Sequence, residues 1–106
     1  MQTLTKETFD EFVRTGNKVV EFSAEWCIDC KRVAPFMPEL AEKFADRFEF
    51  AVLDVDEARS VAEAYQVRGI PTFIVFREGE EIGRLPSRDA KTREQIEAFL
   101  AGIGDD

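Results

Sequence analysis

The 106-residue chain sets 22 acidic residues against 14 basic ones, for a formal net charge of −8 and a pI near 4.6. That balance argues against nucleic acid and anionic membrane as partners, since either needs a basic face to displace counterions. The absence of histidine removes Cys-His and Ser-His catalysis, and two cysteines without further Cys or His cannot close a structural zinc site within one chain, so no metal is expected.

A chain of this length is expected to form one domain, 1–106, burying roughly two-thirds of its unfolded surface without disulfide staples. Disulfide-held secreted domains usually carry about four to eight cysteines, so two point to a reducing compartment and a cytosolic location. Residues 1–4 lack the basic start of a signal peptide, and no apolar run approaches the ~20 residues of a membrane helix.

The pattern along the chain switches between strand and helix periods, which predicts an α/β domain in the order β-α-β-α-β-α-β-β-α. A short strand at 2–4 precedes a helix capped by Thr5, with Phe9, Phe12 and Val13 on one face and its end at Gly16. Strand 18–23 follows. A long second helix presents Val33, Phe36, Met37, Leu40, Ala41 and Phe44 to the core, and Pro35 in its interior should bend it. Residues 48–55 read as a core strand, 58–65 as a short helix, and 72–76 as a strand joined through Glu78-Gly79 to an edge strand at 80–85. Thr92 and Gln95 make a capping box for a last helix whose apolar face is Ile96, Phe99, Leu100 and Ile103.

Both cysteines fall in Trp26-Cys27-Ile28-Asp29-Cys30-Lys31, after the apolar run 19–22 and at the start of the second helix. Cysteines three apart at a helix start share a face, with Cβ atoms about 5–6 Å apart, close enough for a reversible disulfide. The partial positive charge of the helix end favours the thiolate at Cys27, making it the nucleophile, with Cys30 resolving the mixed disulfide. Ile28, Asp29 and Lys31 would tune the pair. An ionised Asp29 within about 6 Å of the Cys27 sulfur opposes its thiolate by an amount comparable to what the helix end and Lys31 return. Its bias is toward a better reductant.

Within Val19-Val20-Glu21-Phe22, alternation sends Glu21 away from Val20 and Phe22. From the residues alone, the favoured place for it is a strand end reaching water. Ile70-Pro71 reads as a trans bond, the form of about 95% of X-Pro bonds in folded proteins. Trp26 reads first as an aromatic packed against the helix start, its exposed edge left to touch substrate.

The segments Ala24-Glu25-Trp26-Cys27-Ile28-Asp29-Cys30-Lys31, Ala34-Pro35 and Gly69-Ile70-Pro71-Thr72 resemble the thioredoxin family in order and spacing over nearly the whole chain. The resemblance implies the thioredoxin fold, a central mixed sheet of about five strands flanked by four helices. It implies reduction of protein disulfides by dithiol exchange, with no bound cofactor and with electrons from NADPH through a flavoprotein, thioredoxin reductase. A monomer acting on disulfide-containing proteins is expected. Within the family, the position of Glu21 is usually an aspartate buried under the active-site helix, where it relays the proton of the resolving cysteine; this implies a pKa for Glu21 raised toward neutrality. The lysine that relatives set beside that carboxylate is replaced by Val52.

The resemblance further implies a cis Pro71 facing the cysteines, with Ile70 free to pair with a substrate strand. Asp29 departs from the usual Gly-Pro spacer and resembles a branch reading Trp-Cys-any-Asp-Cys. A glycine turn bordering the groove in relatives is absent from 85–89, where Arg68, Arg84 and Arg88 are candidates to line the rim and select acidic partners. Two other readings are a partner-binding module in which the cysteines are incidental, or a reductant dedicated to one partner. An oxidase or isomerase would need a stabilised thiolate, which Asp29 opposes.

Overall fold

The two apolar periods of the sequence resolve into a sheet with helices on both faces; the structure, a computed structural model, describes residues 1–104. The elements are β1 (Gln2–Leu4), α1 (Lys6–Val13), β2 (Asn17–Ser23), α2 (Ile28–Val33), α3 (Met37–Lys43), β3 (Glu49–Asp54), α4 (Arg59–Ala64), β4 (Thr72–Arg77), β5 (Glu80–Leu85) and α5 (Arg93–Ala101). The strands lie in the order β1-β3-β2-β4-β5. β3 runs parallel to both β1 and β2, while β4 is antiparallel to β2 and to β5. The sheet is therefore mixed, with β2 at its centre.

Pro35 has the effect expected of it. A 3-10 turn at Ala34–Phe36 separates α2 from α3, so the two are halves of one bent helix and four helices flank the sheet. Thr5 and Thr92 both cap their helices through capping boxes, with Thr8 and Gln95 as the reciprocal partners. The β4–β5 turn uses Glu78 at φ 50° and Gly79 at φ 87°, the two left-handed residues that a tight hairpin of matching twist requires. Its Glu78 is tied to Gly16, accepting the Gly16 N–H at 2.5 Å and donating its own N–H to the Gly16 carbonyl at 2.9 Å. Boundaries differ by one to three residues: α1 stops at Val13 rather than Gly16, β3 is shorter than 48–55, and β4 runs on to Arg77.

Alternation along β2 divides the interior. Val20 and Phe22 join Phe9, Phe12, Leu53 and Phe76 under α1 and α4. Val19 joins Val33, Leu40, Phe73, Ile96 and Leu100 under the bent helix and α5. Phe9, Tyr65 and Phe76 meet edge to face, with centroids 5.5, 5.6 and 5.4 Å apart, the arrangement ring quadrupoles favour. Covered on both faces and paired on both edges, β2 runs through the middle of the sheet, and it leads directly into the cysteine segment.

Candidate functional site

The turn from β2 into α2 carries the thiols. Cys27 is the N-cap of α2, with extended backbone at φ −82° and ψ 114°, and its Sγ accepts the Cys30 N–H at 3.1 Å. A cysteine sulfur here does what a serine or aspartate oxygen does at other helix starts. The Cys27 thiol also donates to the Ile70 carbonyl at 3.6 Å, across 43 residues of sequence. The Ile70–Pro71 bond is cis, as the family resemblance implied and against the trans expectation from the residues alone. Both thiols are free. Cys27 is 6% exposed and Cys30 3%; burial, reinforced by the adjacent Cys27 side chain, pushes Cys30 up to about 12.

Glu21 is buried, not at a solvated strand end. It is 5% exposed, and burial raises its carboxyl from 4.5 to about 7. The expectation of a solvated strand end fails because β2 is central, so the face opposite Val20 and Phe22 lies under the bent helix. Val52 is its cross-strand neighbour in the parallel β2–β3 register, so no lysine offsets the burial there. Glu21 and Cys30 line one cavity of about 550 Å³ together with Ser23, Lys31, Met37 and Val52. The carboxyl and the resolving thiol thus border a shared space beneath the active-site helix.

Asp29 is more constrained than its sequence context implied. Lys91, 62 residues away, donates to its Oδ2 at 2.7 Å, and Arg32 lies 3.4 Å from its Oδ1. The Lys91 hydrogen bond, with smaller charge effects from Lys91 and Arg32, holds its carboxyl below the usual carboxylate range. Asp29 is therefore ionised, but two cations share its field before it acts on Cys27. Lys91 was not legible as a site residue, because only the approach of the segment before α5 to the start of α2 creates the contact.

Trp26 is not packed against the helix start. It is 66% exposed, held by its indole N–H, which donates to Asp56 Oδ2 at 2.7 Å. Satisfying the polar edge from the β3–α4 connection turns the apolar ring outward. Ile28 is 67% exposed beside it, so the two present an apolar surface next to Cys27. Lys31 is exposed on α2, and Pro71 is buried behind Ile70. Arg68, Arg84 and Arg88 do gather in one hollow, with Gly69 and Ser87.

Two thiols that can interconvert with a disulfide, set just past the end of a buried strand and against the Ile70 carbonyl, are the machinery of a thiol–disulfide oxidoreductase. The comparisons with known proteins narrow this class. The sequence model of the family described as Thioredoxin matches residues 1–102. Thioredoxin of Staphylococcus haemolyticus is 42% identical over 82 residues, covering 77% of this chain and 79% of that protein. Staphylococcus aureus thioredoxin is 40% identical over the same length. A solved structure of Plasmodium falciparum thioredoxin superimposes with a TM-score of 0.89 at 27% identity, covering 98% of this chain and 100% of that one. The chain belongs to the thioredoxin family and has the thioredoxin fold; its activity is reduction of protein disulfides.

Proposed function

We propose that Cys27 is the nucleophile, Cys30 the resolving thiol and Glu21 the group that manages the Cys30 proton. The Cys27 thiolate attacks one sulfur of a substrate disulfide, that S–S bond breaks, and the first substrate thiolate leaves. The sulfur of Cys30 then attacks Cys27 Sγ, the mixed disulfide breaks, and the second substrate thiolate departs. Substrate has gained two electrons and the protein holds a Cys27–Cys30 disulfide. Electrons return from NADPH through a flavoprotein reductase of the thioredoxin reductase type, with no cofactor resident on this chain.

The protonation levels constrain the second step. In the free dithiol, burial pushes Cys30 up to about 12 and Glu21 up to about 7, so Cys30 holds its proton at rest and Glu21 is the readier of the two to ionise. The proton therefore leaves as the Cys30–Cys27 bond forms, across the cavity that both residues line. The single observation that carries the reading is the 3.6 Å contact from the Cys27 thiol to the Ile70 carbonyl. It puts the reactive sulfur beside main chain that a substrate strand can pair with, a mode that reads backbone and suits many substrates. Trp26 and Ile28 supply the apolar side of that groove. Asp29 and Lys31 set the potential, with the Asp29 charge moderated by Lys91.

A pure binding module is not favoured, because it gives no reason for two thiols at exchange spacing. A single domain of 1–106, working as a monomer in the cytosol, fits the cysteine usage and charge. The test is NADPH consumption with thioredoxin reductase and a generic protein disulfide, comparing the native chain with Cys27→Ser. Turnover by the native chain alone is the expected result; no turnover by either overturns the general-reductase reading.

A further inference from the structure

The strand order brings the ends of β3, β2, β4 and β5 into one row at the redox face, and the charges along that row are sorted. On the β3 side, Glu25, Asp54, Asp56 and Glu57 line an open hollow with Trp26. On the other side, beyond Ile70, Arg68, Arg84 and Arg88 line a hollow of about 400 Å³ with Gly69, Thr72 and Ser87. No carboxylate lines this second hollow among the described residues.

The three arginines are not equivalent. Arg84 is held by Glu81 through two bonds of 2.8 and 2.9 Å. Arg88 has Asp89 at 3.8 Å, yet its side chain remains 81% exposed, and Arg68 is exposed. Arg68 and Arg88 are thus the cations that a chain meets when it leaves Ile70 toward β5. Asp54 at the end of β3 and Arg84 near the end of β5 stand three strand spacings apart, about 14 Å. That exceeds the Debye length of about 8 Å at physiological salt, so a bound peptide senses the outer ends of the two flanks separately.

We infer that the protein selects disulfides in which acidic residues lie on one side only of the cysteine attacked, seated on Arg68 and Arg88. The inference rests on the strand-pairing reading of Ile70 above. The net charge of −8 repels an acidic substrate at long range, so the selection acts after encounter, in the orientation of the bound strand. Reversing the strand carries its acidic end to Glu25, Asp54, Asp56 and Glu57, where like charges oppose it. The hollow and the acidic flank therefore act together as a reader of strand direction.

Exposed ion pairs are each worth roughly 1.4- to 5-fold in an equilibrium, so two give about 2- to 25-fold. The test uses peptide disulfides that differ only beside the attacked cysteine: a Glu pair before it, a Glu pair after it, or a Gln pair. Single-turnover reduction by the dithiol protein is followed by chromatography of the released peptide thiol. One Glu peptide should react about 2- to 25-fold faster than the Gln peptide and the other no faster. The ratio should fall to about one in Arg68→Gln/Arg88→Gln and in about 0.5 M salt. Equal rates for all three peptides, equal acceleration of both Glu peptides, or a ratio that survives the double substitution would overturn the inference while leaving disulfide reduction intact. Failure to reduce even the Gln peptide would overturn the reductase reading and this inference with it.

Discussion

Glu21→Gln keeps the shape of a buried side chain and removes its titration, so it isolates what burial of the carboxylate costs. Burial lifts Glu21 from 4.5 to about 7. Between those values the folded chain keeps a proton that the unfolded chain has released, so stability falls as pH rises across that window. The loss is about 1.4 kcal/mol per pH unit and is complete above about pH 7, where it reaches about 3 kcal/mol. Glu21→Gln should therefore match the native chain at about pH 4 and exceed it by about 3 kcal/mol at about pH 8.5. Small domains lose about 1–3 kcal/mol per molar urea, so the urea midpoint should move up by about 1–3 M at the higher pH. An advantage of the same size at both pH values would refute burial of the charge as its source. The variant should also resolve mixed disulfides more slowly, a loss in activity that accompanies the gain in stability.

Val52→Lys places a cation opposite Glu21 in the β2–β3 register and should return its carboxyl titration, followed by NMR, toward the ordinary range; an unchanged titration would show that the two side chains do not meet. Cys30→Ser should accumulate a stable mixed disulfide between Cys27 and substrate on a non-reducing gel, whereas Cys27→Ser should give none. Lys91→Ala removes the bond to Asp29 at 2.7 Å and exposes Cys27 to more of that negative charge. Alkylation of Cys27 at about pH 7 should slow roughly two- to fivefold, the scale of an exposed pair, and the effect should vanish in Lys91→Ala/Asp29→Asn. Gly69→Ala would set a Cβ 2.2 Å from Ser87 Oγ and 3.2 Å from its Cβ. It should slow disulfide reduction by displacing the Ile70 segment, and Gly69→Ala/Ser87→Gly should restore the rate.

What the sequence made legible was local. Thr5 and Thr92 cap helices because their hydroxyls reach backbone groups three residues on, and Glu78-Gly79 turns because both residues take positive φ. Pro35 interrupts a helix wherever the rest of the chain lies. The cysteine pair was readable for the same reason, since its spacing and its place at a helix start are local facts. The surroundings of the pair were not. Whether Glu21 is buried depends on which strand becomes central, and the contacts of Asp29 with Lys91 and of Trp26 with Asp56 span 62 and 30 residues. Alternation said which way Glu21 points but not what covers that face. The family resemblance supplied the burial and the cis Pro71, and gave no hint of the clamp on Asp29 or the tether on Trp26.

The burial of Cys30 bears on damage as well as catalysis. Cys30 follows the central strand, 3% exposed, with Cys27 capping the helix above it and accepting its N–H. An oxidant or alkylating reagent in solution meets Cys27 first, at the helix cap, and reaches Cys30 only through the cavity it shares with Glu21 or when the first turn of α2 opens. Opening of that turn is local and draws on only part of the free energy of folding. The outer thiol thus serves as a sacrificial shield for the inner one, and in a chain whose Cys27 is already blocked, the rate at which Cys30 is labelled becomes a clock for the opening of α2.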